Sequence, residues 1–291
     1  MCFMFYFILY WCVIFKPKMS QFQLNVQNND YSALNHIPKS IWTYWHSDII
    51  PCIVKKCINT WKKYNPSYKI IILNKNNINK YITKINHDVL KHPIYNDSHT
   101  RFADLVRFCV LAENGGVWID STIILKENLD KWLFNKEGEF SGFYINSFTT
   151  KNTFPIIENW FFACNKDSEF MIKWRDEFLN IMNYQSVKEY VESRKKMKVD
   201  IQNIKYRYYL ASHISLQKVL QIDKYPIDKL ILYKAEDGPF KYLHDTKWIS
   251  LIGLFEANKH RMYTYPILKM RSSERSIMSK ALKIFNISIF D

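Results

Sequence analysis

Between Leu105 and Thr122 the chain reads L-V-R-F-C-V-L-A-E-N-G-G-V-W-I-D-S-T, and three charged side chains in and just before it could act together. The apolar periodicity of Thr100–Asn114 predicts a helix, ended by the pair Gly115 and Gly116, residues that readily take the left-handed backbone of a helix end. Val117–Asp120 predicts a buried strand with a carboxylate where it runs out. In open α/β sheets ligands bind outside the carboxyl ends of the strands, which gives Asp120 the position of a site residue. Asp104 and Arg107 are three apart, share one side of the helix, and lie off the stripe of Phe102, Leu105, Val106, Cys109 and Val110. A carboxylate, a guanidinium and a second carboxylate thus point to one place, which suits a charged, metal-bridged ligand. Plainer readings exist: a strand-end Asp often caps a turn, and an Asp-x-x-Arg pair is often an exposed ion pair of little worth. The order of the signals along the chain weighs more than any one of them. Ligand-binding residues on a polar helix face should tolerate alanine, at a stability cost of about 0.5 kcal/mol or less.

The elements that must position these residues alternate. Pro38–Trp45 reads as a first strand, Pro51–Tyr64 as a helix, Tyr68–Leu73 as a second strand, and Asn74–Asn86 as an Asn/Lys-rich loop and helix. Further strands are expected at Phe140–Asn146 and Trp160–Cys164, and amphipathic helices at Ser168–Asn183 and Tyr208–Gln221. Such alternation predicts an α/β fold with a mixed, mostly parallel sheet flanked by helices. The 291 residues can bury a large core, and no Pro/Gly/Ser-rich linker divides them. A single catalytic domain over residues 37–270 is the reading. With only 6 glycines the chain has neither G-x-G-x-x-G nor a P-loop, which argues against a dinucleotide oxidoreductase and a P-loop kinase. Its 6 cysteines follow neither a disulfide framework nor a metal-ligand spacing, so a reducing cytoplasm is expected.

A net charge of +14 asks for an anionic partner. Nucleotide sugars and anionic lipid head groups qualify. No nucleic-acid module is visible, and Arg194-Lys195-Lys196-Met197-Lys198 reads as a solvated helix end, so no nucleic-acid partner is expected. Residues 1–15 are apolar and followed by Lys16-Pro17-Lys18. As a helix, Cys2–Phe15 would span about 21 Å against roughly 30 Å of hydrocarbon, so a shallow anchor is expected rather than a span. Residues 16–36 read as a linker. Residues 271–291 read as a basic amphipathic tail, with Ile277, Met278, Ala281, Leu282 and Phe285 opposite Arg275, Lys280 and Lys283. That tail suits a membrane surface or docking against the domain.

The whole order of motifs resembles the capsular polysaccharide synthesis proteins, within the DXD-type sugar-nucleotide glycosyltransferases. It begins at Ile37-Pro38-Lys39-Ser40-Ile41-Trp42-Thr43-Tyr44-Trp45 and continues through Pro51 to Trp61. It is clearest at Phe102-Ala103-Asp104-Leu105-Val106-Arg107 and Gly115-Gly116-Val117-Trp118-Ile119-Asp120-Ser121-Thr122. It resumes at Asn159-Trp160-Phe161-Phe162-Ala163 and Tyr206 to Leu220. The sequence departs from the pattern at Thr122, where the wider class has a second Asp, and at Ala103, where Ser is usual. The Lys-Leu-Thr-x-Lys of the family reads Glu256-Ala257-Asn258-Lys259.

The resemblance implies a GT-A-like, Rossmann-type fold and transfer of a sugar from a nucleotide donor, a UDP-sugar, to a glycan or lipid-linked acceptor with retention. It makes Trp45 the aromatic that stacks on the nucleobase, Asp104 the acid on ribose or sugar hydroxyls, and Arg107 the base that orients the donor sugar. The glycine pair lets backbone approach the ligand. Asp120 becomes the ligand of a divalent metal, Mn²⁺ or Mg²⁺, with a hydroxyl or ordered water from Thr122. Oxygen-only sites of this kind retain several waters. Glu236 and Asp237 are nucleophile candidates only by their place in a late loop. Because the Asp-x-Asp pair is broken, a catalytically idle nucleotide-sugar binding protein is the alternative.

Overall fold

The computed structural model describes residues 37–133, 138–259, 266–284 and 288–290. The apolar segment read at 1–15 and the linker at 16–36 lie outside the described residues. Six strands make the central sheet: β1 (Ser40–Tyr44), β2 (Lys69–Leu73), β3 (Gly116–Ile119), β5 (Phe140–Tyr144), β6 (Ile157–Cys164) and β7 (Leu230–Lys234), in the order β2-β1-β3-β6-β5-β7. β1 is parallel to both its neighbours and β5 to β7, while β6 is antiparallel to β3 and β5. Five strands therefore run one way, as the alternation of elements predicts. β4 (Ile123–Leu125) and β8 (Ile267–Lys269) form a separate antiparallel pair.

The two-residue period of a strand sorts the core into two halves. Ile41, Val117 and Ile119 face helix α1 (Cys52–Tyr64) through Ile53, Val54, Cys57, Ile58 and Trp61. Trp42, Tyr44 and Trp118 face helix α2 (His99–Asn114) through Phe102, Leu105, Val106, Phe108 and Cys109. On that second side also pack α3 (Glu169–Leu179), α4 (Val187–Lys196) and α5 (Ala211–Gln221). α2 starts at Ser98, whose hydroxyl accepts from the Arg101 amide, and ends at Gly115, whose φ of 63° breaks the helix. From β1 the chain passes to β2 on one side and later to β3 on the other. The carboxyl ends of β1 and β3 therefore open a crevice at a topological switch point, with Trp45 and Asp120 at its lips.

Several local expectations change. Asn74–Asn86 holds one 3₁₀ turn, Ile78–Lys80, because the Asn74 side chain accepts from the amides of Asn76 and Asn77 and competes with helical bonding. Arg194 is no solvated helix end. Its guanidinium is buried, donates to Glu177 Oε1 at 2.6 Å and lies 4.2 Å from the Tyr190 ring centroid. β7, β8 and the helix α6 (Ser250–Lys259) lie in segments that periodicity alone did not mark. The tail forms α7 (Ser272–Ala281), which docks on the domain through buried Glu274 and Met278; Phe285 lies outside the described residues. Among the described residues no helix is long and apolar enough to cross a membrane.

Candidate active site

The crevice is a cavity of about 840 Å³, walled by the ends of β1 and β3, α2, the start of α5 and the segment after β8. At its floor Arg107 joins the two expected carboxylates. Its guanidinium donates to Asp104 Oδ1 at 2.6 Å and to Asp120 Oδ1 at 2.8 Å, and lies 4.9 Å from the Trp118 ring centroid. Trp118 Nε1 also donates to Asp120 Oδ1, at 3.0 Å. Asn159, in the motif that resumes the resemblance, donates to Asp104 Oδ1 and to the Ser212 hydroxyl. Sequence spacing thus placed Asp104, Arg107 and Asp120 together correctly.

Their burial differs from the expectation. Arg107 is only 4% exposed, so the pair is part of the interior and not a tolerant polar face. Helix periodicity set them off the apolar stripe, but the crevice covers that side as well. Alanine at Arg107 therefore leaves two enclosed carboxylates without their shared cation, and the expectation of a small stability effect does not hold.

Asp120 has a further partner. Lys269 Nζ, at the end of β8, donates to Oδ2 at 2.8 Å. Pairing of β4 with β8 sets Lys269 opposite Ile123, three residues beyond Asp120. Burial pushes the Asp120 carboxyl up, yet the charges of Lys269 and Arg107 outweigh it and hold the carboxyl below the usual range. Asp104 goes the other way: burial raises it, against the opposing charges of Arg107 and His213. Lys259, the last residue of the segment that stands where the family has Lys-Leu-Thr-x-Lys, has its side chain outside the described residues. The signal for Lys269 was the short run Ile267-Leu268-Lys269-Met270-Arg271, an apolar strand with cations at its carboxyl end.

These residues do not fit a resident divalent metal. Both Asp120 oxygens are held by cations, and Arg271 and Arg275 line the same cavity. Thr122, expected to offer a hydroxyl, donates it to the Met270 carbonyl at 3.1 Å and so fastens β4 to the segment after β8. Among the described residues no three His, Cys, Asp or Glu side chains gather as metal ligands. A hard cation at Asp120 would have to displace Lys269 or sit against two fixed positive charges.

Gly115 and Gly116 are not among the residues that line the cavity. Gly115 ends α2 and Gly116 begins β3, at the end opposite Asp120. A Cβ on Gly115 would lie 2.5 Å from the Lys166 amide nitrogen, and one on Gly116 2.6 Å from the Ser40 carbonyl oxygen. Both have positive φ, and the Gly115 carbonyl accepts from Trp42 Nε1. Their smallness serves the crossing of chain segments. Glu236 is likewise structural: it is buried and accepts the amides of Asn146 and Ser147, and Asp237 pairs with Lys234. Trp45 is half-buried on the cavity wall, its Nε1 donating to the Ile49 carbonyl and its ring beside His46. His46 stacks on His99 with centroids 4.4 Å apart.

The cationic arm is itself anchored. Glu274, fully buried on α7, accepts from the Arg271 backbone amide and guanidinium and from the hydroxyls of Ser273 and Ser250. Burial raises its carboxyl, but these bonds win and bring it down from 4.5 to about 2. A carboxyl lowered by folding stabilises above its unfolded value and stops doing so as pH falls through its folded one. Glu274→Gln should therefore lower the unfolding free energy at neutral pH by about 3 kcal/mol in urea titrations. The difference from the parent should close between pH 4.5 and about 2. An equal deficit at both ends of that range would assign the effect to packing instead.

Four buried side-chain atoms that have no hydrogen-bond partner among the described residues belong to residues of this one cavity: Tyr44 Oη, Arg107 Nε, Trp160 Nε1 and His213 Nδ1. Buried polar groups cost roughly 1–3 kcal/mol each when left unpaired. Fold and site together define an α/β protein with a cationic, hydrogen-bonding crevice at the switch point of its sheet. The chain belongs to the capsular polysaccharide synthesis protein family, whose sequence pattern matches residues 4–225. It is 23% identical over 160 residues to the O-glycosyltransferase braB of Annulohypoxylon truncatum, across 48% of this chain and 37% of that protein. The chain thus spans little more than a third of that relative's length. Solved structures with some likeness include the glycosyltransferase GlyE of Streptococcus pneumoniae TIGR4 (14% identity, 88% of this chain and 62% of that one, TM-score 0.45). The PaToxG glycosyltransferase is another (15% identity, 87% of each chain, TM-score 0.40).

Proposed function

We propose that the chain is a glycosyltransferase of GT-A type, moving a sugar from a nucleotide-sugar donor, a UDP-sugar, to a glycan or lipid-linked acceptor. The observation that carries this is the buried Asp104–Arg107–Asp120–Lys269 network on the floor of a cavity rimmed by Trp45 and by unpaired donors. Family membership and a relative that is an O-glycosyltransferase support it. In this reading Trp45 stacks on the base, and Asp104, held by Arg107 and Asn159, takes sugar hydroxyls. The bond from the anomeric carbon to the β-phosphate oxygen breaks, and its electron pair leaves on the nucleoside diphosphate. Lys269, Arg271 and Arg275 meet that charge, as preorganised cations do for a developing oxyanion. Retention, which the family resemblance implies, is read from the anomeric proton coupling of the product.

The test is a panel of nucleotide sugars followed by thermal shift and by product NMR, since a bound donor stabilises the fold. A UDP-sugar should raise the melting temperature, and Trp45→Ala should weaken its binding about ten- to a hundredfold. No shift with any nucleotide sugar refutes the reading. The locked Asp120 favours a second one, nucleotide-sugar binding without turnover. A donor that binds yet gives no product with any acceptor would select it.

A further inference from the structure

One buried pair in the cavity wall has no part in the donor scheme. His213, in the first turn of α5, is 4% exposed, and its Nε2 lies 3.6 Å from Glu158 Oε2 on β6. The Glu158 side chain is 12% exposed, and both residues line the cavity. The other ring nitrogen, Nδ1, is buried and has no hydrogen-bond partner among the described residues. A carboxylate facing one nitrogen favours the tautomer with its proton there, leaving Nδ1 with a free lone pair. Of the unpaired cavity atoms named above, Tyr44 Oη, Arg107 Nε and Trp160 Nε1 can donate, whereas Nδ1 in this tautomer only accepts. Charged groups near the ring include Glu158 from β6 and, from α2, Asp104 with its partner Arg107.

We propose that His213 is the base that takes the proton of the acceptor hydroxyl, with Glu158 as its positioning residue; this rests on the glycosyltransferase reading above. The acceptor oxygen forms a bond to the anomeric carbon as the bond to the diphosphate breaks. The hydroxyl proton passes to Nδ1, and the resulting imidazolium faces Glu158 and returns the proton to water after product leaves. The proton balance is the same for attack on either face of the sugar.

The experiment uses the full chain, the donor selected by thermal shift, and p-nitrophenyl glycosides as acceptor probes. H213Q should bind the nucleotide sugar within about twofold of the parent while kcat for transfer falls about 10²- to 10⁴-fold, the usual worth of a positioned base. The fall in rate toward acid pH should vanish in H213Q. E158Q should lose about tenfold in kcat with little change in KM, and its acid limb should move. Transfer by H213Q at the parental rate overturns the proposal, as does a parallel loss of donor binding and melting temperature in both variants, which would make the pair structural. If the parent binds no nucleotide sugar, the glycosyltransferase reading fails first and this proposal falls with it.

Discussion

Arg107→Ala is expected to be the most damaging single change in this chain, for the fold as well as for the ligand. Among the described residues the guanidinium alone bridges Asp104 and Asp120, at 2.6 and 2.8 Å, and it is almost wholly enclosed. Breaking a buried pair by removing one partner costs about 3–5 kcal/mol, since the survivor keeps its charge away from water. Here there are two survivors: Asp120 retains the Lys269 ammonium, while Asp104 keeps the neutral donors Asn159 and Ser212 and the neighbouring His213. Asp104 is already raised by burial, so without Arg107 it should take up a proton on folding. A carboxyl raised by folding stabilises below its unfolded value and loses that contribution as pH climbs through its folded one. The deficit of Arg107→Ala, measured by urea unfolding, should accordingly be largest near neutrality and shrink in acid. Arg107→Lys can satisfy one carboxylate but not both in this geometry, and should recover only part. A variant as stable as the parent at pH 7 would mean the network holds ligand and nothing else.

The two carboxylates and the arginine were legible because local rules place them. A helix puts residues three apart on one side, and a strand delivers its last residue to the edge of the sheet. Whether that side of α2 faced water was not legible. The wall that closes over it comes from Asn159 on β6 and Ser212 on α5, more than fifty residues downstream. Lys269 was hidden for the same reason, sitting 149 residues from the carboxylate it meets. Its own strand, β8, is three residues long, too short for a period-two pattern to show. Gly115 and Gly116 are a different case. Their residue type called for positive φ and close approach, and in the fold the atoms that come near include the backbone of Lys166 and Ser40. A glycine says that something comes near, and only the tertiary fold says what.

Lys269→Met is the change that should separate chemistry from folding most cleanly. Methionine keeps the length of the aliphatic stem in its buried slot above Trp160, and Asp120 keeps Arg107 and the Trp118 indole. What disappears is the one ammonium that lines the cavity among the described residues, beside the place proposed for the diphosphate. Removing a single preorganised group from a developing oxyanion typically costs about 10²–10³ in kcat. Donor turnover should fall by that factor, with nucleoside-diphosphate binding weakened as well and sugar-hydroxyl contacts through Asp104 left in place. The companion measurement is turnover by the parent in excess chelator. With both Asp120 oxygens already met by cations, activity should persist there, and added Mn²⁺ should give little to the parent. In Lys269→Met one carboxylate oxygen is released, and a divalent ion could then gain a foothold, so partial rescue by Mn²⁺ in the variant alone is the expected signature. A parent that loses all activity to chelator and regains it with Mn²⁺ would restore Asp120 as a metal ligand. Lys269 would then be a counter-ion that gives way when metal and donor arrive.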